Sequence, residues 1–206
     1  TATADRRYEA EGTEFDLTGK LVGDQVGTRL AMGPKGGYLV WQDNATDESG
    51  LGISALRVDA AGNPVGAPVR INSLLVGDQE NPRVGVLKSG GAIFAWEGGA
   101  SGFHRVHYRV TNAQGLFLGE DRYVTGPESG EQVEPALAVL KNGRAVLAWT
   151  DYLDDGSVKG VSARIIGSEG QALSEPFRLN KFTLGNQHKA QVVAMPGERF
   201  AAAWVS

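Results

Sequence analysis

GDQENPRVGVLKSGGAIFAW, residues 77–96, recurs three more times in altered form along the chain. The other copies are GDQVGTRLAMGPKGGYLVW (23–41), GEQVEPALAVLKNGRAVLAW (130–149) and GNQHKAQVVAMPGERFAAAW (185–204). Gln25, Gln79, Gln132 and Gln187 follow one another at steps of 54, 53 and 55 residues. Trp41, Trp96, Trp149 and Trp204 step by 55, 53 and 55, and they are the only four tryptophans in the chain. A fixed period near fifty residues denotes stacked or ring-arranged supersecondary units, none of which can bury a core without its neighbours.

Within the second copy, residues 82–87 (PRVGVL) form a short apolar run, residues 88–91 (KSGG) a turn, and residues 92–96 (AIFAW) a second apolar run. Runs of five or six without polar alternation suit strands covered on both faces. Residues 105–110 (RVHYRV) alternate as a half-exposed strand does, and residues 117–124 offer a fourth, outer strand. Asn142-Gly143 in the third copy reads as a two-residue hairpin. Arg57, Arg109 and Arg164 fall at matching places in the third strand, and Asn72 and Asn180 in the fourth. No 3.6-residue periodicity is evident, so the fold expected is all-β, made of four-stranded antiparallel units.

The two ends of the chain complement each other. Residues 7–12 (RYEAEG) align with 57–62 (RVDAAG), and residues 15–22 (FDLTGKLV) with 177–184 (FRLNKFTL). The N-terminus thus offers outer strands without an inner pair, and the C-terminus an inner pair without outer strands. A β-propeller closes its ring by splitting one blade in this way, which leaves no free sheet edge. The expectation is a single four-bladed domain over residues 1–206. Its blades span 23–76, 77–129 and 130–184, with a split blade from 1–22 plus 185–206. A fragment of a longer propeller, or a ring completed by two copies, fits the same ends.

The chain resembles a family of bacterial exported propeller-type repeats. Gln79, Pro82, Gly90, Gly91 and Trp96 carry the likeness, with Gln132, Pro135, Gly143 and Trp149 and the loop Asp155-Gly156-Ser157. The first and fourth units lack the proline, and the second lacks an acidic loop. The resemblance implies an architecture and a secreted or cell-surface setting, and no single activity.

Composition narrows the function classes. Net charge is −4 with no basic footprint, which argues against nucleic acid as a partner. No apolar run approaches the roughly 20 residues of a membrane helix, so no membrane insertion is expected. Cysteine is absent, and with it thiolate metal sites and cysteine nucleophiles.

The four glutamines sit at the entrances to the inner strands. There their amides could meet a glycan or protein ligand at the channel mouth, or satisfy backbone groups and lock the units together. The tryptophans suit a core between blades, and Tyr152 and Phe103 are the better exposed aromatics. No cofactor is expected. The loops with Asp43 and Asp47, and with Asp151 and Asp155, are rich enough in oxygen for Ca²⁺ but lack the spacing of a calcium-binding loop.

For catalysis, His104 and His107 share a strand face, His188 lies beside a glutamine, and no nucleophile elbow occurs. Glu80, Glu131 and Glu134 at the loop entrances are the carboxylates able to pair as a glycosidase requires. The leading expectation is a noncatalytic exported module that binds, adheres to or scaffolds macromolecules, with no enzyme activity. A lectin-like glycan binder and a glycoside-active propeller are the alternatives. A protein or glycan partner would approach the blade-entry face, and a homodimer or a place in a larger chain or assembly fits the sequence as well.

Overall fold

A computed structural model describes residues 13–47, 49–126, 130–152 and 159–206. These residues form strands joined by turns, with no helix among them. The first sheet holds β1 (Gln25–Gly33), β2 (Gly36–Asp43), β3 (Gly52–Val58) and β4 (Val69–Arg70) in that spatial order. The second holds β5 (Asp78–Val86), β6 (Ala92–Gly99), β7 (Arg105–Val110) and β8 (Arg122–Tyr123). The third holds β9 (Gln132–Val139), β10 (Ala145–Tyr152), β11 (Lys159–Ile166) and β12 (Phe177–Arg178). The fourth is only a pair, β13 (His188–Met195) with β14 (Arg199–Val205). All pairings between these strands are antiparallel, so each repeat is an antiparallel meander. This is the all-β, propeller-like arrangement the repeat implies.

Three apolar layers join the sheets. Tyr38, Val40, Ile53 and Ala55 of the first sheet meet Phe94 and Trp96 of the second. Ile93, Ala95 and Val106 meet Leu147 and Trp149 of the third. Val146, Ala148 and Val161 meet Ala190, Val192 and Trp204 of the fourth. Trp96, Trp149 and Trp204 therefore each face the preceding sheet. Near the axis the inner strands approach closely: a Cβ added to Gly85 would stand 2.6 Å from Val139 Cγ2.

Each inner strand carries a bulge at the same repeat position. Gly27, Asn81, Glu134 and Lys189 all have positive φ, between 52° and 67°. The ladder register shifts alongside them. Pro82 and Pro135 directly follow two of these residues, where the interrupted ladder loses no bond to a missing N–H. That accounts for the Gln-x-x-Pro spacing. The bulge N–H turns instead to the preceding sheet: Asn81 N donates to Gln42 Oε1 at 2.9 Å, Glu134 N to Glu97 Oε2 at 2.5 Å, and Lys189 N to Thr150 Oγ1 at 3.2 Å. Gln42, Glu97 and Thr150 each immediately follow the unit's tryptophan.

A second bond between sheets uses arginine. Arg109 Nη1 donates to Ile71 O and Arg164 Nη1 to Val124 O, each carbonyl on the sheet before. Arg57 is not their equivalent. It pairs with Tyr38, whereas Leu56 pairs with Leu39 in the register where Arg109 and Arg164 stand. Arg57 donates forward to Ala113 O and Gln114 O of the second sheet. Leu56 at the first sheet and Val205 at the fourth thus replace the two polar connectors with apolar side chains. Asn72 and Asn180 do match: each accepts from a third-strand N–H and donates to the carbonyl two residues on.

Three local expectations change. The Asn142-Gly143 hairpin is a three-residue loop, with Leu140 N bonded to Arg144 O and Gly143 N to Leu140 O. Gly143 takes φ 84° there, as the closing residue of such a loop requires. The outer strands are two residues long, because turns occupy most of residues 117–124 and their counterparts. Residues 15–22, expected as an outer strand of the split blade, carry no strand, and residues 1–12 lie outside the described residues.

Among the described residues β1 packs on β5, β5 on β9 and β9 on β13, and no interface of like extent joins β13 to β1. Leu30 and Met32 on β1 are 59% and 46% exposed, and Val193 on β13 is 59% exposed.

Replacing Arg164 by Ala removes two charge-assisted bonds, to Ser174 O and to Val124 O. We expect a loss of about 2 kcal/mol, read from urea unfolding. An unchanged midpoint would show that the arginine connectors contribute nothing.

Candidate active site at the propeller axis

The bulges do more than connect sheets. A bulge re-aims the side chain it carries, and those of Asn81, Glu134 and Lys189 converge on an axial pocket of about 280 Å³. Arg83, Ala190 and Gln191 complete its lining. Glu134 Oε2 accepts from Thr150 Oγ1 at 2.7 Å and from Lys189 N at 2.9 Å, and His188 Nδ1 lies 3.9 Å away. Arg83 folds back on the bulge, its Nη1 donating to Pro82 O at 2.9 Å. Burial and the nearby Arg29 hold the Arg83 guanidinium below its usual pKa, opposed by the charge of Glu97.

Glu97 lies directly behind this pocket. It is buried, with Oε1 accepting from Asn81 Nδ2 at 2.6 Å and Oε2 from Glu134 N. Across the β5–β6 ladder it stands opposite Glu80. Burial raises its pKa above the ordinary carboxylate range. The two hydrogen bonds and His104 oppose that rise, and Glu80 adds to it. The Glu97 carboxyl, held by the Glu134 amide, is buried, whereas the Glu134 carboxyl lines an open pocket.

Sequence reasoning reached part of this site. Glu134 is in the pocket, Glu80 is beside Glu97, and Glu131 lies outside the pocket lining, 3.7 Å from His104 Nδ1. Glu97 was missed. Its signal lies in the alignment of the copies, where the residue after Trp is Gln42, Glu97, Thr150 and Val205.

The four glutamines are not part of this pocket. Gln79, Gln132 and Gln187 are buried. Gln79 donates to Val76 O and Gly77 O and accepts from Trp96 Nε1. Gln25 donates to Val22 O and Gly23 O, and Gln187 to Leu184 O. Gln132 donates to Thr125 Oγ1 and accepts from Val106 N. Their amides hold the entry loops. His104 and His107 also separate: His107 is buried against Trp96, while His104 precedes β7 and meets Glu131.

The oxygen-rich loops are engaged internally. Asp43 Oδ1 accepts from Ala45 N, Thr46 N and Thr46 Oγ1. Asp47 accepts from Ser49 N and Asn72 Nδ2, and Asp151 Oδ2 from Trp149 Nε1. Asp155 lies outside the described residues. Among the described residues no group of three or more His, Asp or Glu is arranged to hold a metal ion.

No protein-family model matches the chain, and no curated protein matches its sequence. Solved structures do match its fold. An endo-arabinase from Bacteroides thetaiotaomicron superposes with TM-score 0.52 at 16% identity, covering 93% of this chain and 73% of that one. A thermostable family-43 glycoside hydrolase gives 0.52 at 9%, covering 88% and 65%. An α-L-arabinanase from Penicillium chrysogenum gives 0.53 at 16%, covering 82% and 53%. At these identities the likeness establishes a β-propeller-like fold, and the chain spans less than two thirds of the last two. It also corrects the leading expectation. A noncatalytic binding module, with no enzyme activity, is not what this fold accompanies in these three proteins, all of which are named for cleaving glycans.

The raised pKa of Glu97 predicts a pH dependence. A carboxyl that keeps its proton longer in the folded state gives full stability below its ordinary value of 4.5, lost as pH rises toward the raised value. Between those limits the unfolding free energy of the wild type should fall relative to that of Glu97→Gln. Parallel pH profiles for the two proteins would refute the assignment.

Proposed function

We propose that the axial pocket hydrolyses glycosidic bonds in an exported protein, with Glu97 as proton donor and Glu134 as the second carboxyl. The observation that carries this reading is the bond from Glu134 N to Glu97 Oε2, which fixes the Glu97 carboxyl against the backbone of the residue that bears the second carboxyl. Glu97 stands directly behind Asn81 and Glu134, the two lining residues that it bonds.

A buried carboxyl that holds its proton suits transfer to a leaving-group oxygen. A carboxylate facing the pocket suits attack on the sugar or activation of water. Arg83, Lys189 and Asn81 add donors for sugar hydroxyls. The fold likeness to arabinanases makes α-L-arabinofuranosides and arabinan the first substrates to test.

Glu134→Gln and Glu97→Gln should each lower turnover of an aryl arabinofuranoside by about 100-fold or more, with the fold intact by circular dichroism. Wild-type protein inert on a broad glycoside panel, or undiminished turnover in Glu134→Gln, would refute the reading. NMR of the first-formed anomer then reports the carboxyl separation: about 5–5.5 Å for retention, about 6.5–9.5 Å for inversion.

We further propose that the ring closes as four blades, with residues 1–22 completing the β13–β14 pair. Two observations support it: the correspondence of residues 15–22 with 177–184, and the exposed faces of β1 and β13. Leu30 and Val193 occupy the repeat positions of Val192 and Ala138, which share one apolar layer between the third and fourth sheets. The chain has no cysteine, so Leu30→Cys with Val193→Cys forms a clean pair. Oxidation should give a disulfide within one monomer, for which the Cα atoms must come within about 7 Å. A disulfide-linked dimer would assign the closure to a second copy.

A further inference from the structure

The strand pairings align three positions across the second, third and fourth strands of a blade. In the first sheet these are Trp41, Ser54 and Arg70, and in the third Trp149, Ser162 and Arg178. The second sheet alone breaks the pattern, with Trp96, His107 and Tyr123. A third change accompanies these two: Gly98 stands where the other two sheets carry Asp43 and Asp151. Three substitutions at one end of one blade replace an acidic and basic set with rings and a glycine.

The result is an aromatic slot of about 220 Å³, with Leu74, Val76, Phe103, His107 and Tyr123 in its lining. Phe103 is 77% exposed and Val76 74%, and Tyr123 and Leu74 are also open to solvent. Beneath them the His107 ring stacks on Trp96, centroids 5.7 Å apart and planes at 9°, and meets Tyr123 at 4.6 Å. Its Nε2 lies 3.4 Å from Gly98 O, which fits an N–H donor there. Nδ1 is then left as an acceptor, buried and without a hydrogen-bond partner among the described residues. Burial lowers the His107 pKa, which favours this neutral ring.

We propose that this slot is a secondary binding site for a neutral glycan chain. One sugar ring would lie against Phe103 and Tyr123, with a hydroxyl donating to His107 Nδ1. Apolar ring faces take up the C–H face of a sugar, and an imidazole acceptor takes up its hydroxyl. The slot and the axial pocket open on one face of the fold. Gly98 follows Glu97 directly, and Gln79 in the slot lining lies two residues before Asn81 of the pocket on β5. A polysaccharide held in the slot can therefore extend toward the axis. The choice of a glycan rests on the reading given under Proposed function; the existence of a ligand site rests on the slot alone.

Affinity electrophoresis through gels containing soluble arabinan, xylan or β-glucan tests this directly. At least one polysaccharide should retard the wild-type protein. Phe103→Ala should weaken that retardation about tenfold, and Phe103→Trp should preserve it. Turnover of a small aryl glycoside should be unchanged by either substitution, because the slot lies outside the axial pocket. Absence of retardation by every polysaccharide, or equal retardation of Phe103→Ala, would overturn the proposal. Retention on a polysaccharide by a wild type inert toward aryl glycosides would uphold the slot while removing the cleavage reading.

Discussion

The backbone amide that each bulge turns toward its neighbour is the constraint on which the remaining architecture depends. A residue at positive φ opens the inner ladder by one position and releases an N–H that its own sheet cannot satisfy. The preceding sheet supplies the acceptor, from the residue after its tryptophan. One interaction therefore sets both the angle between successive sheets and the direction of the side chains lining the axis. Each such bond contributes about 0.5–1.5 kcal/mol, which favours this packing over others.

The architecture was largely legible because it is periodic. Four tryptophans at steps of 53 and 55 residues place four inner pairs, and the structure has four. Departures from the expectation came where neighbouring units differ by one position, which a one-dimensional alignment absorbs without trace. Arg57 aligns with Arg109 by count yet lies one register along, and so it bonds the following sheet instead of the preceding one. The outer strands shrank to two residues because turns, not ladders, occupy most of that sequence.

The candidate site was legible only in part, for the opposite reason: chemistry resides where the copies disagree. Glu134 could be found as a carboxylate near an entrance. Glu97 sits inside an apolar strand ending AIFAWEGG and is recognisable only against Gln42 and Thr150. The glutamines, being alike in every unit, attracted attention first and proved to hold loops. Uniformity across copies reports what the fold needs, and singular residues report what one blade has been given beyond it.

Leu56 and Val205 extend this to how such a chain changes over time. Leu56, itself buried, and Val205 occupy the connector positions of the first and last sheets in the series, and the side chain of neither can form a hydrogen bond. An apolar contact accepts any partner of suitable shape, whereas the internal contacts demand a matched donor and acceptor. Duplication or loss of a whole unit at that boundary would leave every matched pair intact. The number of repeats is consequently the property of this architecture that can drift most freely, while the geometry within each repeat is held fixed.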